Sequence, residues 1–332
     1  MRRLFLIAIL AALCIAGPNL TVDQQAVMDH ISASSLRGHL SFIASDALEG
    51  RATPSRGLDL AAEYIAAQFR RAGLESTGSV DYFQSETLPA GIAKNVAGLL
   101  RGSDPALRDT YIILSAHYDH IGMRPSGESR IFKGATDDGS GTVTVIEVAS
   151  ALAALPIHPK RSILFVAFFG EERGFLGSRY YASHPLVPLE KTVADINLEQ
   201  VGRTDASNGP QVGVAYLTGF KYSDLGETLS QAAESAGFRI ATDPSAKEDL
   251  FSRSDNFPLA LAGIPDGTIY VAADFPDYHR VSDKWQKIDY ENMAKLDRAI
   301  ALGLVRLASD AVPPQWNKAD PTARKFIRPI GP

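Results

Sequence analysis

Four short runs of carboxylate and imidazole residues occur in order along the 332-residue chain: His117-Tyr118-Asp119, Asp137-Asp138-Gly139-Ser140-Gly141, Gly170-Glu171-Glu172 and Tyr278-His279. Each follows or lies close to an apolar run that reads as a β-strand. Two imidazoles and several carboxylates delivered to the carboxyl ends of strands are a donor set for a pair of divalent cations, and paired cations hydrolyse amides.

Taken singly, the runs are ambiguous. At a strand end, residues i and i+2 share a face, so Asp119 is placed to accept from the second ring nitrogen of His117, as a metal-bound histidine usually requires. A plain hydrogen-bonded histidine would look the same. Asp137 and Asp138 lie in a glycine-rich turn that opens a helix, where an aspartate serves equally as an N-cap, although a carboxylate on a tight turn also bridges two cations. A phosphate loop is excluded because Gly-Lys occurs nowhere. Glu171-Glu172 is the most telling run: adjacent carboxylates at a strand terminus repel, and one binding a cation while the other accepts a proton resolves the repulsion. Asp195 and Glu199 flank the strand-like run Ile196-Asn197-Leu198, and either would supply a further acidic ligand.

The elements that must carry these residues alternate. Helical periodicity covers residues 21–44 and 58–72, with a polar turn at 45–56 between them. Strands are expected at 95–100, 110–116, 162–169, 193–198 and 268–272, and helices at 140–155, 175–184, 224–236 and 290–308. Near-continuous apolar strands such as 110–116 suit burial on both faces. The pattern predicts an α/β fold, a three-layer αβα sandwich with a mostly parallel, mixed central sheet. Residues 18–90 read as a helical lead-in packed on a catalytic domain at 91–311. The Pro-rich tail at 312–332 is expected to wrap the surface or remain disordered.

With a net charge of −5 and scattered Lys and Arg, the chain has no basic stripe, so nucleic acid is not an expected partner. Arg2 and Arg3 precede an apolar stretch from Leu4 to Ile15 and a small-residue exit at Ala16-Gly17. That span falls short of the roughly 20 residues needed to cross a bilayer. Residues 1–17 therefore read as a signal peptide, and the mature protein is expected in the periplasm or outside the cell, without stable membrane association. Lipid anchoring at Cys14 is disfavoured by the bulky Leu13. Cys14 is the only cysteine, so after cleavage any metal must be held by nitrogen and oxygen.

The combination resembles the co-catalytic di-zinc aminopeptidase family, whose relatives include bacterial leucyl aminopeptidases, glutamate carboxypeptidase and glutaminyl cyclase. Similarity runs from about Leu36 to Asp289 through SFIASDALEGR, ILSAHYDHIG, GATDDGSG, FFGEERGFLGS, INLEQVG, RSDNFPLALAGIP and DYHRVSDKWQKID. The resemblance implies two zinc ions per chain, one held by His117 and Glu199, the other by Glu172 and His279, with Asp137 bridging. It also implies Glu171 as the general base toward a water between the metals and Asp119 as the orienter of His117. Tyr278 and Arg253 would steady the tetrahedral intermediate or the substrate carbonyl.

Glu199 stands where many relatives carry aspartate, Gln200 replaces a common methionine, and Asp138 replaces a usual asparagine. Asp138 is expected to cap the helix. Glu49 and Arg51 are expected to form a turn-stabilising ion pair. The resulting reading is a secreted zinc exopeptidase acting as an aminopeptidase on peptides. The alternatives are a metallocarboxypeptidase or dipeptidase on the same site, a glutaminyl cyclase-like acyltransferase, and a silent binding protein on the same fold. Gly-x-Ser-x-Gly and His-Glu-x-x-His are both absent, which removes the serine hydrolase and common single-zinc protease readings. Side-chain preference, expected to depend on loops 122–133 and 202–211, and oligomeric state stay open.

Overall fold

The computed structural model describes residues 20–127, 130–246 and 250–328. The expected signal peptide at 1–17 lies outside the described residues. The helices, in chain order, are α1 (Val22–His30), α2 (Ala33–Ile43), α3 (Arg56–Ala72), α4 (Gly141–Ala153), α5 (Leu176–Ser183), α6 (Leu225–Ser235), α7 (Asn256–Leu261) and α8 (Tyr290–Ser309). The strands are β1 (Glu75–Ser76), β2 (Phe83–Leu88), β3 (Gly91–Leu100), β4 (Tyr111–His117), β5 (Ser162–Phe168), β6 (Thr192–Leu198), β7 (Asp205–Ala206), β8 (Gly209–Pro210), β9 (Val214–Leu217), β10 (Arg239–Ala241) and β11 (Asp266–Tyr270).

Nine strands form one sheet in the order β1-β3-β5-β4-β6-β11-β9-β10, with β2 also paired to β3, while β7 and β8 form a separate ribbon. The centre is parallel: β4 pairs with β5 and β6, and β6 with β11. Antiparallel pairings of β1, β2 and β5 with β3, and of β9 with β11, make the sheet mixed. Because successive side chains of a strand point to opposite faces, β4 and β5 feed two cores. Ile112, Leu114, Ile163 and Phe165 enter the larger core with α1–α4, α6 and α8, whereas Ile113, Leu164, Val166 and Phe168 enter a smaller one with Tyr181 and Leu259 of α5 and α7. The result is the three-layer αβα arrangement. Helix α4 is buried along nearly its whole length between the sheet and the outer helices, which explains its apolar character on all sides.

Two local features differ from expectation. The single periodic stretch at 21–44 is two helices. Ser32 caps α2 by accepting from the Ser35 amide at 3.2 Å, and buried Glu147 takes the Ser32 amide at 3.2 Å and the Ser35 hydroxyl at 2.6 Å, so polar groups at the break are satisfied. Strands β2, β9 and β10 were not anticipated, since β2 is polar and half-exposed and the other two are only four and three residues long. Of the two expectations for the tail, the described part follows the first and wraps the surface: Trp316 and Phe326 pack against Phe251, and the Trp316 indole donates to the Gly263 carbonyl at 3.0 Å. No described helix is long and apolar enough to cross a membrane.

Candidate metal centre

The parallel strands bring four chain segments to one edge. His117 ends β4 opposite Phe168 of β5, so the Glu171-Glu172 turn just beyond β5 lies beside it. Ala116 pairs with Leu198, which sets Glu199 on the other side of His117. The turn carrying Glu171 and Glu172 is possible because Gly170 adopts φ +71°, and a Cβ there would meet Leu176 at 2.9 Å. Asp137 stands on the turn before α4. It is fixed from behind by Asp283, whose carboxylate accepts from the Thr136 amide and hydroxyl at 2.8 Å each and from the Asp137 amide at 3.4 Å.

Asp137 is the hub. Its Oδ1 lies 3.3 Å from His117 Nε2, and its Oδ2 lies 2.9 Å from His279 Nε2. Around the first oxygen, His117 Nε2 is 3.7 Å from Glu199 Oε1 and 4.0 Å from Glu171 Oε2. Around the second, His279 Nε2 is 3.2 Å from Glu172 Oε1, which in turn lies 2.7 Å from His120 Nδ1. Two donor groups result, His117-Glu171-Glu199 and His120-Asp137-Glu172-His279, each with donor atoms within 4.8 Å of one another. The structure therefore brings together all five residues expected to bind metal and sets Glu171, the expected base, beside them.

The remaining expected residues sit around this cluster. Asp119 lies behind His117, but its main-chain carbonyl, at 3.2 Å, is the hydrogen-bond acceptor for His117 Nδ1, with the carboxylate 3.5 Å away. That carboxylate instead accepts from the Glu171 amide at 3.1 Å and from Thr53 at 3.2 Å, so it positions the Glu171 turn. Tyr278 stacks on His279 at 4.0 Å and, with Arg253, lines a cleft of about 130 Å³ over the carboxylates. Leu250, Arg253, Tyr270 and Ala273 join this cleft to a larger pocket of about 500 Å³ walled by Tyr216 and Asp243. Residues 206–208 line that pocket, whereas none of the described residues of loop 122–133 lines either space. Asp138 is fully buried and caps α4 through Gly141 at 3.0 Å, also holding the Gln200 amide at 3.1 Å. Asp195 is directed away, hydrogen-bonded to Ser115 at 2.9 Å.

Arg51 does not pair with Glu49. Its buried guanidinium donates to the main-chain carbonyls of Tyr118, Ile43, Lys133 and Gly134 at 2.6 to 2.9 Å, clamping the His117 and Asp137 loops together. His120, Asp283 and Arg51 were missed as site-building residues. His120 lies past the end of β4, where strand alternation no longer says which way a side chain points.

The electrostatics ask for cations. Burial pushes Glu199 up to about 8 and Glu171 well above the usual carboxylate range. Burial also opposes ionisation of Asp137 and Glu172, yet the adjoining imidazoles of His117 and His279 hold Asp137 well below its ordinary value, and those of His120 and His279 hold Glu172 at about 2. His117 Nε2, both ring nitrogens of His120 and Glu172 Oε1 are buried without hydrogen-bond partners. Unsatisfied nitrogen and oxygen atoms converging in a crowd of carboxylates are what a divalent metal would satisfy, so the residues present fit a metal pair.

Residues 95–303 match Peptidase family M28, and the chain belongs to that family. A probable zinc metalloprotease of Pyrenophora tritici-repentis is 32% identical over 202 residues, 56% of this chain and 45% of its own length. Aminopeptidase YwaD of Bacillus subtilis is 29% identical over 226 residues, 66% of this chain and 44% of its own. The chain thus spans about half the length of the curated relatives it matches. The Legionella pneumophila LapA aminopeptidase shares the fold, with a TM-score of 0.69 at 19% identity, covering 88% of this chain and 76% of that one.

Proposed function

We propose that the chain is a zinc-dependent metallopeptidase holding two zinc ions, an exported aminopeptidase that removes N-terminal residues from peptides. The observation that carries this reading is Asp137, which offers one carboxylate oxygen to each of two donor groups. His117 and Glu199 would hold one ion and Glu172 and His279 the other. When bound, paired zinc ions acidify a water and stabilise the negative charge that develops on a carbonyl oxygen.

Glu171 supplies the proton chemistry. It lines the cleft, is largely buried, and is held by its own amide to Asp119. Its carboxylate accepts a proton from the attacking water as the C–O bond forms, then delivers it to the leaving amine nitrogen as the C–N bond breaks, and the base is regenerated. Tyr278 and Arg253 on the cleft wall orient the substrate carbonyl. The similarity to aminopeptidase YwaD supports aminopeptidase polarity. Arg253 supports the second reading, a carboxypeptidase or dipeptidase, because this basic residue lines both spaces and a guanidinium suits a terminal carboxylate.

A screen of amino-acyl p-nitroanilides beside N-blocked peptides decides between them. Release of nitroaniline from unblocked substrates, abolished by a chelator and restored by zinc, is expected. Cleavage confined to N-blocked peptides would replace the aminopeptidase reading with the carboxypeptidase one. Export is checked by the mature N-terminus of the secreted protein, expected just after Gly17.

A further inference from the structure

His120 is buried to 1% exposure, and neither of its ring nitrogens has a hydrogen-bond partner. A neutral imidazole contains one donor and one acceptor, and burying both unmet is costly. The ring is nonetheless held firmly in place. The His120 amide donates to the Arg51 carbonyl at 3.1 Å, and Gly134, at φ +53°, leaves the space the ring fills, since a Cβ there would come within 2.5 Å of His120 Cγ. Arg51 grips the carbonyls on either side through Tyr118 and Gly134. His120 also packs edge-on against His279, with ring centres 5.5 Å apart.

Nδ1 of this ring points at the second donor group. It lies 2.7 Å from Glu172 Oε1 without hydrogen-bond alignment, and 3.9 Å from Asp137 Oδ2. The corresponding separations for His279 Nε2 are 3.2 Å and 2.9 Å. Donors about 2.0–2.1 Å from a tetrahedral zinc are separated by roughly 3.3 Å, a value these four distances straddle.

We propose that His120 is a fourth protein ligand of the ion held by Asp137, Glu172 and His279, through Nδ1. The inference rests on the two-zinc reading above and makes the two positions unequal. Four protein donors close a tetrahedral site, whereas His117, Glu199 and Asp137 leave a position open at the other ion. The closed ion is held more tightly and braces Asp137 and Glu172, and the substrate carbonyl is directed to the His117 side.

X-ray absorption at the zinc edge of the fully loaded wild-type protein counts imidazoles directly: three shared by two ions are expected, and two would overturn the proposal whatever else His120 does. In competition with a chromophoric chelator, His120→Ala should weaken one of the two zinc equivalents by at least the ~10–100-fold that even indirect partners of a metal contribute, leaving the other unchanged. Two equivalents retained at wild-type affinity would also overturn it. If the variant does not fold, the wild-type spectrum still decides. A protein that binds two zinc ions through three imidazoles but cleaves no peptide would sink the peptidase reading and leave this one standing. A protein that binds fewer than two would end both.

Discussion

Nε2 of His279 lies 2.9 Å from Oδ2 of Asp137, and in the metal-free protein this contact governs how the site takes up zinc. The carboxylate of Asp137, followed by that of Glu172, raises His279 to about 10 against the opposing effect of burial. A group raised on folding stabilises the metal-free protein fully below its unfolded value, near 6.5, and loses that contribution as the pH climbs through the folded value. Zinc must displace the proton. Glu199, raised by burial to about 8, must likewise lose one. Zinc affinity should therefore increase with pH between about 6.5 and 10, with protons released on binding at pH 7. Calorimetry of the metal-free protein in buffers of different ionisation enthalpy checks this, and binding without proton release would contradict it.

Glu171→Gln keeps the shape of the side chain and removes its ability to accept a proton. Peptidase turnover should fall by about 10²–10⁴-fold, with zinc content unchanged, because the proposed mechanism gives Glu171 the proton and leaves the metal to His117 and Glu199. Metal analysis alongside steady-state kinetics makes the comparison, and a variant that keeps its activity removes Glu171 from the mechanism.

Asp283→Asn should act one step back from the metals. The carboxylate that accepts from Thr136 and Asp137 becomes an amide whose nitrogen faces donors, so the Asp137 turn loosens. Zinc affinity should drop by about 10–100-fold. Chelator competition measures it, and wild-type affinity would show that the turn holds itself.

Arg51→Met should cost stability more than chemistry. Four carbonyls lose their donor, three of them in buried hydrogen bonds, and each buried acceptor left unmet costs about 1–3 kcal/mol. Burial draws Arg51 down only to about 10, so it remains charged at neutral pH and the clamp is intact there. Urea unfolding of the zinc-free protein tests this, with a large drop in the transition midpoint expected.

Much of this centre was legible because the strands that build it are long apolar runs followed by acids. β4 and β5 are near-continuous hydrophobic segments, and the polar residues at the end of the first, His117, and just past the end of the second, Glu171-Glu172, could be placed at the carboxyl edge from periodicity alone. Residues whose role depends on tertiary approach were not. Arg51 looks like a turn residue beside Glu49, and only the packing of its loop against residues 118 and 133–134 shows that its partners are carbonyls. His120 lies three positions past His117 in an irregular segment, so no repeat assigns its direction. Asp138 could be read correctly as a cap because the glycine-rich turn and the following helix are local in the chain. Short strands such as β10 draw their stability from pairing with β9 rather than from their own composition, which left them invisible beforehand.

The account turns on two cations sharing Asp137. Anomalous diffraction at the zinc edge from crystals of the zinc-loaded protein should show two peaks about 3.5–4 Å apart, each next to a different oxygen of Asp137, one beside His117 and the other beside His279. A single peak, or two peaks that do not share Asp137, would contradict it.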